Sequence, residues 1–313
     1  MKKAIFKLWV IIFFHPFFLT NMYSSTIEDV AKKVHLANIN TLLIFTSQDS
    51  LNTGRYNFTN VGVDMDIYNL PFTYDLDSSN DTIDYFIVGN IGYSRVFISK
   101  NIIIPPDTRL NHENHTRTYI GGIGGGIRYK ASSELNFSGG IEFIYSKSGT
   151  SVSQPDDSIG DAIKDFFNQE YNDNISYKLF ATAQYRPIYK NFKPYAKLDY
   201  KLYQTKSSFS FDELTTFHTD STVVSLALGA ETDKLLSYDE NYLTLEGYVN
   251  ASYLHGKAKE VVEFDLYTSV GAVAYLYTLN HIAWIERFFF EINTVRADGL
   301  NGYNIGVGFS INY

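Results

Sequence analysis

The residues best suited to chemistry in this sequence are histidines standing among acids. His112 and His115 have two residues between them, one of them Glu113, and Asp212, Glu213 and Asp220 lie near His218. His-x-x-His is a metal-ligand spacing, and a histidine beside a carboxylate can serve as a general base. Neither group finds a recognisable partner. The chain has no H-E-x-x-H segment to hold zinc and its base, and no G-x-S-x-G turn to expose a serine nucleophile. His112, His115, His218 and His255 all fall in polar connections, where solvated histidines are the ordinary case. The run Gly121-Gly122-Ile123-Gly124-Gly125-Gly126 lacks G-x-G-x-x-G spacing and continues into Ile127-Arg128-Tyr129 rather than a helix. It reads as a strand that needs room on one face or a sharp curve. Without a single cysteine, disulfides, thiolate zinc and iron–sulfur clusters are excluded. The expectation is a non-enzymatic chain with no catalytic residue, metal or cofactor, a loop-borne active site being the alternative.

The elements that would position any such groups are strands. Tyr (25) and Phe (24) supply nearly all the aromatic residues, and Gly (21) is frequent while Pro (7) is scarce. That balance suits pleated surfaces rather than helices. Mean hydropathy is slightly negative, at −0.15, which rules out a helical membrane protein but not a barrel, whose lipid and lumen faces cancel in the average.

At the N-terminus, Lys2, Lys3 and Lys7 precede the apolar run from Leu8 to Phe14, interrupted by His15-Pro16. The run is too short for a spanning helix, which needs about 20 residues. It reads as a signal peptide over 1–24. Without those three lysines, 26 basic residues become 23 against 34 acidic, a formal charge of −11. That argues against nucleic acid as a partner.

Next comes one helix, 25–38. Ser25 and Glu28 have capping-box spacing, Ile27, Val30, Ala31 and Val34 recur at helical intervals, and Glu28, Asp29, Lys32 and Lys33 occupy the other face. From Asn40 the period becomes two, and a barrel is expected over 40–313. The last segment is clearest: Tyr303, Ile305, Val307, Phe309, Ile311 and Tyr313 alternate with Asn304, Gly306, Gly308, Ser310 and Asn312. An apolar face ending in an aromatic, opposite only Gly, Ser and Asn, suits a wall between lipid and a polar lumen. This alternation predicts strands over 40–47, 55–67, 82–97, 116–130, 133–147, 174–187, 193–205, 220–233, 240–255, 261–279, 284–297 and 302–313. Twelve is an even number, as bacterial single-chain barrels require. Counting back from a periplasmic C-terminus, 130–134, 186–192, 233–240 and 279–283 become short periplasmic turns, and 98–115, 147–173 and 205–220 long outer loops. The segment 68–81 is too long for its place and marks the early strands as the point of strain in this count.

Parity sends Arg128, Lys178, Lys197, Lys201 and Arg287 into the lumen with Glu142, Asp199, Glu231, Glu246 and Glu291. Equal numbers of each sign argue against a charge-selective pore. They suit an interior filled by its own ion pairs or by a plug. The helix 25–38 is the candidate plug, with Glu28, Lys32 and Lys33 meeting lumenal acids such as Glu246 and Glu291; a helix resting in the periplasm is the alternative.

A leader, one helix and a twelve-stranded antiparallel up-and-down barrel ending in Tyr resembles the translocator domain of autotransporters. The best anchor is Gly302 to Tyr313, which resembles the C-terminal assembly signal of outer-membrane barrels. The resemblance implies a transmembrane all-β barrel in the bacterial outer membrane, reached through the periplasm. Its implied partners are outer-membrane lipid and the barrel-insertion machinery, which reads Tyr303, Ile305, Val307, Phe309, Ile311 and Tyr313. Only a few residues separate leader from helix, leaving no passenger, so the resemblance is to a solitary barrel of structural or transport-related role. A porin-like small-solute channel is the alternative.

Overall fold

The computed structural model describes residues 43, 51–59, 62–76, 80–104, 108–153, 172–187, 189, 192–208, 217–238, 241–278 and 285–311. The strands are β1 (Leu51–Phe58), β2 (Val63–Leu76), β3 (Ile83–Ile104), β4 (Thr108–Lys130), β5 (Leu135–Ser153), β6 (Asn172–Tyr185), β7 (Phe192–Ser208), β8 (Phe217–Thr232), β9 (Leu236–Tyr238), β10 (Asn241–Gly256), β11 (Leu266–Tyr277), β12 (Ile285–Ala297) and β13 (Leu300–Ile311). A six-residue helix, α1 (Lys257–Val262), joins β10 to β11. Each strand pairs antiparallel with the next, except that β8 pairs with β10, and β1 pairs with β13, so the sheet closes on itself. β9 only folds back on the start of β10. The barrel therefore has twelve staves, the number expected from the alternation.

The outer wall follows from strand parity. On β4, Tyr119, Ile123, Ile127 and Tyr129 are about half exposed to the surroundings, while Thr116, Thr118 and Ile120 on the alternate positions are buried. From Tyr119 to Tyr129 the strand climbs ten residues, about 33 Å of chain. Tilted by ~40°, that spans about 25 Å, the height of the apolar band of an outer-membrane barrel. Tyr303, Ile305, Val307 and Phe309 of β13 point outward in the same way. The side chains of Ile311 and Tyr313 lie outside the described residues.

Two expectations at the start of the chain are corrected. The segment 55–67 is not one strand but the hairpin of β1 and β2, in which Phe58 pairs with Val63 and Gly62 turns the chain at φ 65°. The segment 40–47 is not a strand where it is described: Leu43 is helical. The hairpin was hidden because β1 inverts the usual pattern, with Thr53, Arg55 and Asn57 outside and Tyr56 and Phe58 inside. With the hairpin restored, the overlong 68–81 shrinks to a connection between β2 and β3. A third correction concerns 98–115 and the start of 261–279. The first is mostly a continuation of β3 and β4 as a ribbon, and the second begins with the end of α1.

The glycine run of β4 marks a close approach of two strands. A Cβ at Gly124 would stand 2.1 Å from the carbonyl oxygen of Ile141, and one at Gly140 2.3 Å from that of Gly125. β4 and β5 approach too closely there for a side chain at Gly124 or Gly140.

Candidate functional site

The lumen is the enclosed space that the fold builds, and its side chains divide it into two halves. At the end of the short turns, β6 to β8 and β10 to β12 surround a cavity of about 460 Å³. Tyr195, Tyr248 and Tyr275 line it with Glu246, Glu291, Arg186 and Arg287. The Tyr195 hydroxyl donates to Glu246 Oε1 at 2.7 Å and the Tyr275 hydroxyl to Oε2 at 3.2 Å. Tyr248 donates to Glu291, which also accepts from Asn293 Nδ2 at 3.2 Å. Deeper in the wall, Glu231 accepts from Thr244 at 2.7 Å, Tyr277 at 3.0 Å and Arg186 at 3.4 Å. Hydrogen bonds to an ionised acceptor are about twice as strong as neutral ones, so hydroxyls as well as cations hold these carboxylates. The guanidinium of Arg287 lies 4.5 Å over the Tyr275 ring, and that of Arg186 5.1 Å over Tyr195, each on a π face that attracts it.

The rings lie flat because the neighbouring strand gives them room. Tyr195 faces Gly229, Tyr248 faces Gly271 and Phe289 faces Gly308 as direct register partners. A Cβ at those glycines would come within 2.6, 2.5 and 2.3 Å of the ring. Gly229, Gly271 and Gly308 are therefore seats for aromatic rings, a use that sequence reasoning missed. The signal was an inward aromatic paired across strands with an inward glycine.

Toward the other end the lumen is apolar. Tyr56, Met65, Ile67, Ile120, Ile144 and Leu254 are buried in one cluster with Val262 and Phe264 beside the α1 connection. Leu43, 2% exposed, belongs to the same cluster. Around it runs a ladder of small hydroxyl residues, with Thr118 bonded to Ser148 at 2.9 Å and Ser176 to Thr205 at 2.8 Å. At the boundary between the halves, Glu142 is 2% exposed and accepts from Lys178 Nζ at 2.7 Å and Asn90 Nδ2 at 2.6 Å.

The ten charged residues assigned inward by parity all lie on the lumenal face or its rim. Lys197 pairs with Asp199 at 3.2 Å, and Arg128 reaches Asp75 at 3.3 Å and Asp84 at 3.8 Å. Glu246 and Glu291 face the cavity. The expected plug residues Glu28, Lys32 and Lys33 lie outside the described residues. His112 and His115 sit not on a loop but within β4. A spacing of three along a strand puts those positions on opposite faces, and His115 packs edge-on against Phe97 at 4.9 Å. Among the described residues no group of three or more His, Cys, Asp or Glu is placed to hold a metal.

No family model matches the chain, and no curated protein matches its sequence. Solved structures do. The beta domain of the Bordetella autotransporter BrkA superposes with a TM-score of 0.56 at 10% identity, covering 83% of this chain and 96% of that one. The transport unit of AIDA-I from Escherichia coli gives 0.57 at 10% identity, covering 91% and 99%. The translocator domain of NalP from Neisseria meningitidis gives 0.53 at 11%, covering 93% and 98%. This chain has the autotransporter translocator-barrel fold. At such identities the likeness is in the wall, since strand number, closure and parity survive where individual residues do not.

Proposed function

We propose that this is an outer-membrane barrel of translocator type whose lumen is closed by its own chain, with a structural or transport-related role and no catalysis. Leu43 carries this reading. It precedes β1, is helical, and is buried in the lumenal apolar cluster, so the chain at Leu43 lies inside the barrel. The short-turn end faces the periplasm, and the end that carries the β3–β4 ribbon faces outward. The aromatic-edged outer wall supports membrane insertion.

Single-channel conductance in planar bilayers tests the closure. The full chain gives a narrow conductance, and removal of residues 25–50 raises it several-fold while heat-modifiable migration confirms a folded barrel. Equal conductance in both would return the porin-like reading, for which the 460 Å³ chamber is the favourable observation. An epitope near Asp156, detected on intact cells, checks the orientation; labelling only after permeabilisation would reverse it.

A further inference from the structure

On the outside of β2 to β6 the apolar band ends in tyrosines on successive strands. Tyr68, Tyr93 and Tyr119 form a row, with ring centroids 6.1 and 5.1 Å apart, and Tyr145 follows on β5. One step further along the same faces stand Arg95, Arg117 and Lys147, all exposed. Arg95 and Arg117 are direct cross-strand partners. Two like charges so placed repel, at side-chain origins only about 5 Å apart. Across the strands Arg95 faces Asp66 and Lys147 faces Asp173; Asp66 also binds Arg55 at 2.9 Å, and Asp173 accepts from the Tyr145 hydroxyl at 2.5 Å. Among the described residues Arg117 has no ion-pair partner. Below it, Gly121 leaves open space where a side chain would stand. A groove of about 450 Å³ results, walled by Tyr119 and Tyr145 and ending at Lys147.

We propose that this patch binds a phosphate-bearing glycolipid of the outer leaflet. One acyl chain lies in the groove over Gly121, and the phosphate sits at Arg117 with Arg95 and Lys147 beside it. Charge and position select this occupant. The three cations stand at the level where the apolar band gives way to headgroups, and a phosphate between the paired arginines turns their repulsion into charge-assisted hydrogen bonds. The tyrosine row below matches the amphipathic interface that precedes that level. The leaflet assignment rests on the orientation proposed above, whereas recognition of phosphate does not.

The test is native mass spectrometry of the detergent-solubilised full chain, titrated with a bisphosphorylated diglucosamine glycolipid. The same lipid after phosphatase treatment is the comparison. The phosphorylated form should be retained preferentially. Combined Arg95→Gln, Arg117→Gln and Lys147→Gln should reduce its affinity roughly a hundredfold, since each cation at an anionic surface contributes about a factor of five. Arg296→Gln, an exposed arginine at the same end on the far side of the barrel, should change nothing. Heat-modifiability keeps misfolded variants out of the comparison. Equal retention of the dephosphorylated lipid, or an unchanged affinity in the triple variant, would overturn the site. Phosphate-dependent binding together with a reversed epitope result would leave the site standing and move it to the other leaflet.

Discussion

The two halves of the lumen are built on the same strands and the same parity, yet they fill their space by opposite means. In the chamber at the short-turn end, Tyr195, Tyr248 and Tyr275 seat their rings on glycines or neighbouring strands and hold Glu246 and Glu291 by hydroxyl hydrogen bonds. A cavity remains there. In the seal at the other end, Ile67, Ile120, Ile144 and Leu254 meet from several strands, and the small hydroxyl residues around them bond to one another. The difference teaches that an inward face is defined by enclosure rather than by polarity. Polar side chains keep a lumen open to water, and apolar ones at the same parity close it.

The sharpest test lies where the halves meet. Glu142 is buried and held by Lys178 and Asn90. Lys178→Met removes the cation and leaves a buried carboxylate uncompensated, at a cost of about 3–5 kcal/mol. Adding Glu142→Gln should restore most of that, because the penalty belongs to the unpaired charge. Urea unfolding in micelles reads both. A single variant as stable as the parent would mean that water already solvates Glu142, and the boundary would dissolve.

Second in size is the seal itself. Leu254 is fully buried, and Leu254→Ala should cost about 3 kcal/mol through lost burial and the void left behind. It should also raise conductance. A comparable loss of stability with no change in conductance would locate the closure elsewhere.

How far the sequence could carry this comparison depended on which face was regular. Tyr303 to Phe309 alternate with glycine and asparagine without a fault, so closure and the inward charges were readable, while the count of twelve held because the non-strand 40–47 offset the undivided β1–β2 hairpin. Parity also sends both Glu142 and Lys178 into the lumen. The seal was not readable as such. Its inward Ile67, Ile120 and Val295 resemble lipid-facing residues, and only register shows that they converge. β1 failed for a related reason: with Arg55 outside and Tyr56 inside, polarity pointed the wrong way, and the turn at Gly62 was absorbed into a single strand. The tyrosine–carboxylate bonds of the chamber depend on cross-strand neighbours that no single strand displays.

A smaller effect is expected within the chamber. Tyr248→Phe removes one hydroxyl from Glu291 and leaves Asn293 in place. A loss of about 1 kcal/mol should follow, with little change in conductance because the ring stays on Gly271. A several-fold rise would mean that the chamber, and not the seal, limits passage.

The least effect should come from the connection that lies over the seal. Between β10 and β11, α1 runs up to the αL residue Glu263, whose N–H donates to Lys259 O at 3.1 Å. Asp265 then accepts from Lys259 Nζ at 3.0 Å, while its backbone carbonyl takes the N–H of Leu254 at 2.7 Å. The hydrogen bond and charge of Lys259 hold the Asp265 carboxyl below its ordinary value. A depressed carboxylate contributes stability that is present above the unfolded pKa, about 3.9, and is lost as pH falls through the lower folded value. Both side chains are half exposed, so water and salt screen the pair, and its loss should loosen the connection without opening the seal, where Val262 and Phe264 stay buried. Pepsin should therefore nick 257–265 modestly faster below about pH 4. Asp265→Asn should show that faster rate already above pH 4 relative to the parent, with no further step across the window. Conductance should stay constant in both. A nicking rate that steps with pH just as strongly in Asp265→Asn would assign the transition to another carboxylate, and a conductance rise at the same pH would make this connection part of the closure itself.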